Sequence, residues 1–253
     1  MNPSTCRNIF AVLILLLAAA LAPAQTVLIS NLSDTPDSGS LSMSNAQLLN
    51  STMSPQWWAA AFVVPGGTDY TLSSVTLKLQ NFDVAHGNGT FFVSIYDSTA
   101  TTSVNSVDYP VPGNPSTVEG SVAYNDARIS TSSYTDVTFN PSTTITLHAG
   151  ATYFLAVGNN GTDNTNVGWA YTTSASYGGT YTVANSRNSL YWSYDTNTGS
   201  GFDLSNPYDA AGSVSPNLFA ISATAVPEPS TYAAIFGLGA LGLVVLRRRP
   251  SAT

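Results

Sequence analysis

Cysteine is nearly absent from this 253-residue chain, and its one thiol, Cys6, stands ahead of an apolar stretch without the small residues that would precede a lipid-bearing cysteine. A mature form lacking that stretch has no thiol. This excludes disulfides, thiol catalysis and cysteine-based zinc sites. Histidine is almost as scarce: His86 and His148 both lie in glycine-containing turn contexts, and neither neighbours a Gly-x-Ser-x-Gly elbow, so a serine triad is not expected. The one glutamate before the tail, Glu119, stands beside Gly120 near Pro110, Pro112 and Pro115, a loop-like context in which nothing marks it as one of a catalytic carboxylate pair. The chain is therefore expected not to be an enzyme. Charge is sparse too, at 8% of residues. Of 14 acidic and 7 basic residues, the terminal segments take one acid and four bases, leaving 13 acids against Lys78, Arg128 and Arg187 and a body near −10. Such a surface repels phosphate backbones, and no nucleic-acid partner is expected.

What is present is most explicit at the two ends. Arg7, an apolar run from Ile9 to Leu21 and the small-x-small sequence Ala22-Pro23-Ala24 before Gln25 read as a secretory signal peptide over residues 1–24, cut by signal peptidase. At the other end Val226-Pro227-Glu228-Pro229-Ser230 precedes an apolar run of 15 residues, Tyr232 to Leu246, and then Arg247-Arg248-Arg249. A bilayer core needs about 20 helical residues, so this span is short. Snorkelling arginines and local thinning accommodate it as a transmembrane helix. The arginines keep that end cytoplasmic and leave everything before Pro227 outside. Gly237-Leu238-Gly239-Ala240-Leu241-Gly242 spells a dinucleotide fingerprint inside the run, but the strand and the distant acidic residue that fingerprint requires are missing, and small residues in a membrane helix account for it.

With motif, apolar segment and basic cluster in that order, the tail over residues 226–253 resembles the PEP-CTERM sorting signal of Gram-negative bacteria. The resemblance implies an exosortase as processing partner, a transient stay in the inner membrane and delivery to the outer surface or an extracellular matrix rich in exopolysaccharide, as in a biofilm.

Between the ends, residues 25–225 show β-branched and aromatic runs broken by Gly, Pro, Asn and Asp, with no 3.6-residue period. Strands are expected at Thr26 to Ser30, Trp57 to Val64, Tyr70 to Leu79, Thr90 to Tyr96, Tyr134 to Phe139, Thr152 to Gly158, Val167 to Tyr171, Gly179 to Val183, Leu190 to Tyr194 and Leu218 to Thr224. Tyr70 to Leu79 alternates with one wet face, whereas both faces of Thr90 to Tyr96 are apolar enough to be covered. From Asp97 to Ser133 the prolines predict an irregular stretch with only short or edge strands. Nine or ten strands without a fixed repeat predict an all-β fold, a two-sheet, jelly-roll-like β-sandwich. The segments Trp58 to Val64, Leu72 to Leu79 and Leu147 to Leu155 also resemble choice-of-anchor domains of bacterial surface proteins, a resemblance that implies no activity.

Two loop regions suggest ligands. Asp195-Thr196-Asn197-Thr198-Gly199-Ser200-Gly201-Phe202-Asp203 sets oxygen side chains at alternate positions, which would let Asp195, Asn197 and Asp203 hold a structural calcium, while the same residues also suit Asx turns between strands. Asn159 to Asn164 is a weaker loop of the same kind. Around them stand Trp169, Tyr171, Tyr177, Tyr181, Tyr191, Trp192 and Tyr194. Aromatic rings beside amides suit a sugar-binding face, and Trp169, Tyr191 and Trp192 are the residues such a face would use; rings of this kind also fill sandwich cores. The leading expectation is a non-enzymatic structural or adhesive envelope protein with no required cofactor. The alternative is a carbohydrate-binding module of the same sandwich type, stabilised by calcium.

Overall fold

A computed structural model describes residues 24–36, 40–42, 46–47, 53–54, 57–82, 90–98, 100–104, 107–111, 113–123, 126–159, 167–172, 217–227 and 237. Every element among them is a strand: β1 Gln25–Ser30, β2 Ser40–Ser42, β3 Ala46–Gln47, β4 Met53–Ser54, β5 Trp57–Val63, β6 Tyr70–Asn81, β7 Thr90–Asp97, β8 Ala100–Val104, β9 Val107–Val111, β10 Pro115–Ala123, β11 Thr135–Phe139, β12 Thr146–Leu147, β13 Thr152–Asn159, β14 Val167–Ala170 and β15 Phe219–Ala225. The protein is all-β, as the period-2 patterning implies. Among the described residues no helix is long and apolar enough to cross a membrane. Of the run from Tyr232 to Leu246, only Gly237 is described, with a helical backbone. The signal peptide expected over residues 1–24, up to Pro23, and the strands expected at Gly179 to Val183 and Leu190 to Tyr194 also lie outside the described residues.

Two antiparallel sheets form the body. The larger runs β1-β15-β6-β14-β2, with β11 and β12 on the other edge of β6; the smaller runs β10-β7-β13-β5. The 12-residue β6 is the spine: alternation turns Val75, Leu77 and Leu79 into the core while Thr76 and Lys78 stay partly exposed, and a register shift against β15 between Leu72 and Ser74 brings Leu72 to the same side. Its two edges take β15 and β14 in succession on one side and β12 and β11 on the other. Facing it across the core are Phe91, Val93 and Ile95 of β7, Tyr153, Leu155 and Val157 of β13, and Ala60 and Phe62 of β5. Phe91 meets Phe139 edge-on with ring centroids 6.2 Å apart.

Both faces of the smaller sheet are covered. Phe92, Ser94, Tyr96, Phe154 and Ala156 point away from the core cluster and are buried as well. Burial pushes the Tyr96 phenol up to about 12, so it is neutral throughout the physiological range. The covered second face of β7 is the one that its run of Phe91-Phe92 and Ile95-Tyr96 predicts.

One expectation needs correction. The stretch from Asp97 to Ser133 is more regular than its prolines suggest, holding the β8–β9 hairpin and the nine-residue β10, although its strands are short or at an edge as expected. The prolines are tolerated because Pro115 is the first residue of β10 and Pro110 lies in a two-stranded hairpin. Two register shifts in the β10–β7 ladder bend that edge strand. Asp97 closes the neck of the hairpin, its backbone exchanging bonds with Gly113 and Asn114 and its carboxylate accepting the Asn114 N–H at 2.6 Å.

Candidate functional site

One end of the sandwich gathers what the sequence scatters. β5 crosses from the smaller sheet to β6 of the larger through the turn Pro65-Gly66-Gly67-Thr68-Asp69, and β12 crosses back to β13 through His148-Ala149-Gly150-Ala151. Gly67 and Gly150 take φ values of 107° and 73°, in the left-handed region that favours glycine, which is why both turns are written with it. The turns are stitched together: Val64 N–H donates to Ala151 O at 2.9 Å, and Gly150 N–H donates to Val64 O at 3.0 Å.

Asp69 joins the turns a second time. Its Oδ1 accepts the Ala149 N–H at 2.9 Å and its Oδ2 lies 3.0 Å from His148 Nδ1. These bonds, the Ala149 amide first and the His148 ring second, hold the carboxyl below its ordinary 3.8. His148 N–H in turn donates to the Tyr153 hydroxyl at 2.9 Å, and the Tyr153 ring stacks on Phe62 with centroids 5.9 Å apart. Burial raises the Tyr153 pKa. The pair of His148 and Asp69 thus serves as a clip between turns, in line with the reading of His148 as a turn residue.

The chain leaves the sandwich through this clip. β15 lies between β1 and β6, hydrogen-bonded on both edges, with Gln25 opposite Thr224 on one side and Tyr70 opposite Ala225 on the other. Beyond the strand, Val226 N–H donates to Asp69 O at 2.8 Å and Thr68 Oγ1 donates to Val226 O at 3.1 Å. Pro227, with no N–H, can add no further rung. Folded structure therefore runs up to the residue before the proline motif, and Gln25, the residue after Ala24, starts the neighbouring strand.

Residues 225–249 match the family model of the PEP-CTERM protein-sorting motif. No curated protein matches the chain. The PEP-CTERM tail makes the protein an exosortase substrate, exported and sorted to the cell envelope. Within it, Ala225, Val226 and Pro227 belong to the described end of the sandwich, while Glu228, Pro229, Ser230 and Arg247, Arg248 and Arg249 lie outside the described residues. Ala22 does too, whereas Ala24 is exposed just before β1.

The remaining expected site residues separate. Asp195, Asn197, Asp203, Tyr191 and Trp192 lie outside the described residues, and among the described ones no three acidic, histidine or cysteine side chains cluster as metal ligands. Trp169 is described, and its role is corrected. It is 0% exposed, packs edge-on against Phe219 and donates its indole N–H to Leu218 O at 2.9 Å, so no face of the ring is open to a sugar. Strand alternation left its facing undetermined; the core took it because β14 joins the middle of the larger sheet. A different aromatic contact reaches the surface: Phe82, 45% exposed, meets the half-buried Tyr134 edge-on at 6.0 Å, and Tyr134 directly follows the serine-rich turn Ser130 to Ser133. Phe82 directly follows β6, and its exposure carried no signal in the local pattern.

Proposed function

We propose that this chain is a non-enzymatic structural or adhesive protein of a Gram-negative envelope or extracellular matrix, bound up with exopolysaccharide. Its body is a jelly-roll-like sandwich of the choice-of-anchor kind. The observation that carries the reading is the direct passage from β15 into the sorting motif: the fold ends where the address begins. Successive strands β5, β6 and β7 alternate between the two sheets, which supports the jelly-roll topology. In this reading signal peptidase cuts before Gln25, the run Tyr232 to Leu246 holds an inner-membrane intermediate with Arg247 to Arg249 inside, and the sorting enzyme releases the body outward. Intact-mass measurement of the mature C-terminus in fractionated cells tests it. Wild-type body should appear outside without its tail, and Pro227→Ala with Glu228→Ala should accumulate as full-length membrane-held precursor; equal processing of both forms would sink the proposal.

The second reading, a carbohydrate-binding module, is favoured by the exposed Phe82, met edge-on by the half-buried Tyr134, rather than by Trp169. An aromatic face flanked by hydroxyls suits the CH face and hydroxyls of a sugar ring. Phe82→Ala should then lose retention on immobilised native exopolysaccharide at unchanged melting temperature, and unaltered retention counts against it.

A further inference from the structure

We propose that the turn Pro65 to Asp69 is a latch on the sorting tail, so that processing waits on local fraying of the last rungs of β15. The proposal rests on the sorting reading above and adds a control to it. A processing enzyme takes its substrate as an extended chain, with residues on both sides of the scissile bond free of other partners. Here the residues before Pro227 are engaged: Thr224 is flanked by Gln25 and Thr71, Ala225 by Tyr70, and Val226 is held by Asp69 O at 2.8 Å and by Thr68 Oγ1 at 3.1 Å. Thr224 is fixed again through its side chain, with Ser73 Oγ 3.0 Å from its Oγ1. There is no free spacer between ladder and motif.

Strand ends open locally far more often than whole domains, and cleavage tracks the open population when reclosing is fast. The outermost rung is the cheapest to open, and Thr68 supplies one of its two bonds from a side chain that can be removed without touching the core. Asp69 supplies the other through its backbone, and its carboxylate fastens the turn to Ala149 and His148, which keeps that carbonyl in place. Val226 itself is 39% exposed, so the latch holds the residue through its main chain and leaves its side chain on view.

Pulse–chase of the full-length precursor, in a host that has the sorting enzyme, reads the rate of tail removal. Thr68→Ala removes one hydrogen bond and should speed processing about fivefold, with Thr68→Ser restoring the wild-type rate. A Gly-Ser-Gly-Ser insert between Val226 and Pro227 should speed it too, and in that background Thr68→Ala should add nothing, because the motif no longer depends on the rung. Processing that requires Pro227 and Glu228 but is indifferent or slowed in both Thr68→Ala and the insert overturns the latch alone. A wild-type precursor that is never processed overturns the sorting reading and the latch with it.

Discussion

Two buried asparagines show how little residue identity says without its surroundings. Asn31 directly follows β1 with each side-chain group used: Nδ2 donates to Asn217 O at 2.8 Å, and Oδ1 accepts the Phe219 N–H at 2.7 Å. Asn217 is also fully buried, yet its side-chain Nδ2 and Oδ1 have no hydrogen-bond partner among the described residues. A buried amide that bonds stabilises, and one that does not costs its desolvation. Asn31→Ala should therefore lower unfolding free energy by about 2 to 4 kcal/mol, since it orphans the Phe219 amide, whereas Asn217→Leu, of the same γ-branched shape but larger, trades a lost desolvation penalty against overpacking and should cost clearly less than Asn31→Ala. Urea titration of both variants decides, and an Asn217→Leu variant as unstable as Asn31→Ala would count against an unpaired Asn217 amide. Neither role is legible in Ser-Asn-Leu-Ser or Pro-Asn-Leu-Phe, where both asparagines read as loop residues.

Among the elements, the strands were legible and the turns only partly so. Period-2 alternation is a local property, so β5, β6, β7, β11, β13, β14 and β15 fall where the apolar pattern puts them, within a residue or two. The short strands β2, β3 and β4 and the β8–β9 hairpin have no pattern long enough to read, and the prolines near β10 suggested irregularity that edge placement tolerates. The glycines of the two exit turns marked chain reversals but not that the turns would be clipped together by Asp69. That clip predicts a pH dependence. The folded-state pKa of Asp69 lies below its ordinary 3.8, so its contribution is fully present above that value and disappears as pH falls through the folded pKa. Asp69→Asn should melt below wild type near neutrality, and the gap should close on acidification beneath 3.8; a gap that persists there would assign the effect to turn geometry rather than to the carboxylate.

At the scale of the whole molecule, the two ends of the body meet. Gln25 pairs with Thr224 across the β1–β15 ladder, so the start of the first strand and the entry to the sorting motif sit side by side at one end of the sandwich. Opposed residues in antiparallel strands have Cα separations of about 4.5 to 5.5 Å, within disulfide range, and a body without Cys6 has no thiol to compete. Gln25→Cys with Thr224→Cys should therefore close a single disulfide in the exported body and stabilise it by about 2 to 4 kcal/mol, read by intact mass and by melting with and without reductant. Free thiols in the folded double variant would contradict the pairing. The sequence by itself determined the address, the single thiol, the acidic balance and the β class, because each depends on composition or on neighbours a few residues apart. Tertiary structure alone decided that Trp169 is core rather than surface, that Asn31 bonds across 186 residues to Asn217, and that β15 lies between β1 and β6 and delivers Val226 into the grip of Thr68 and Asp69. Those outcomes depend on which distant strands share an edge, and strand alternation fixes a residue's face without choosing its neighbour.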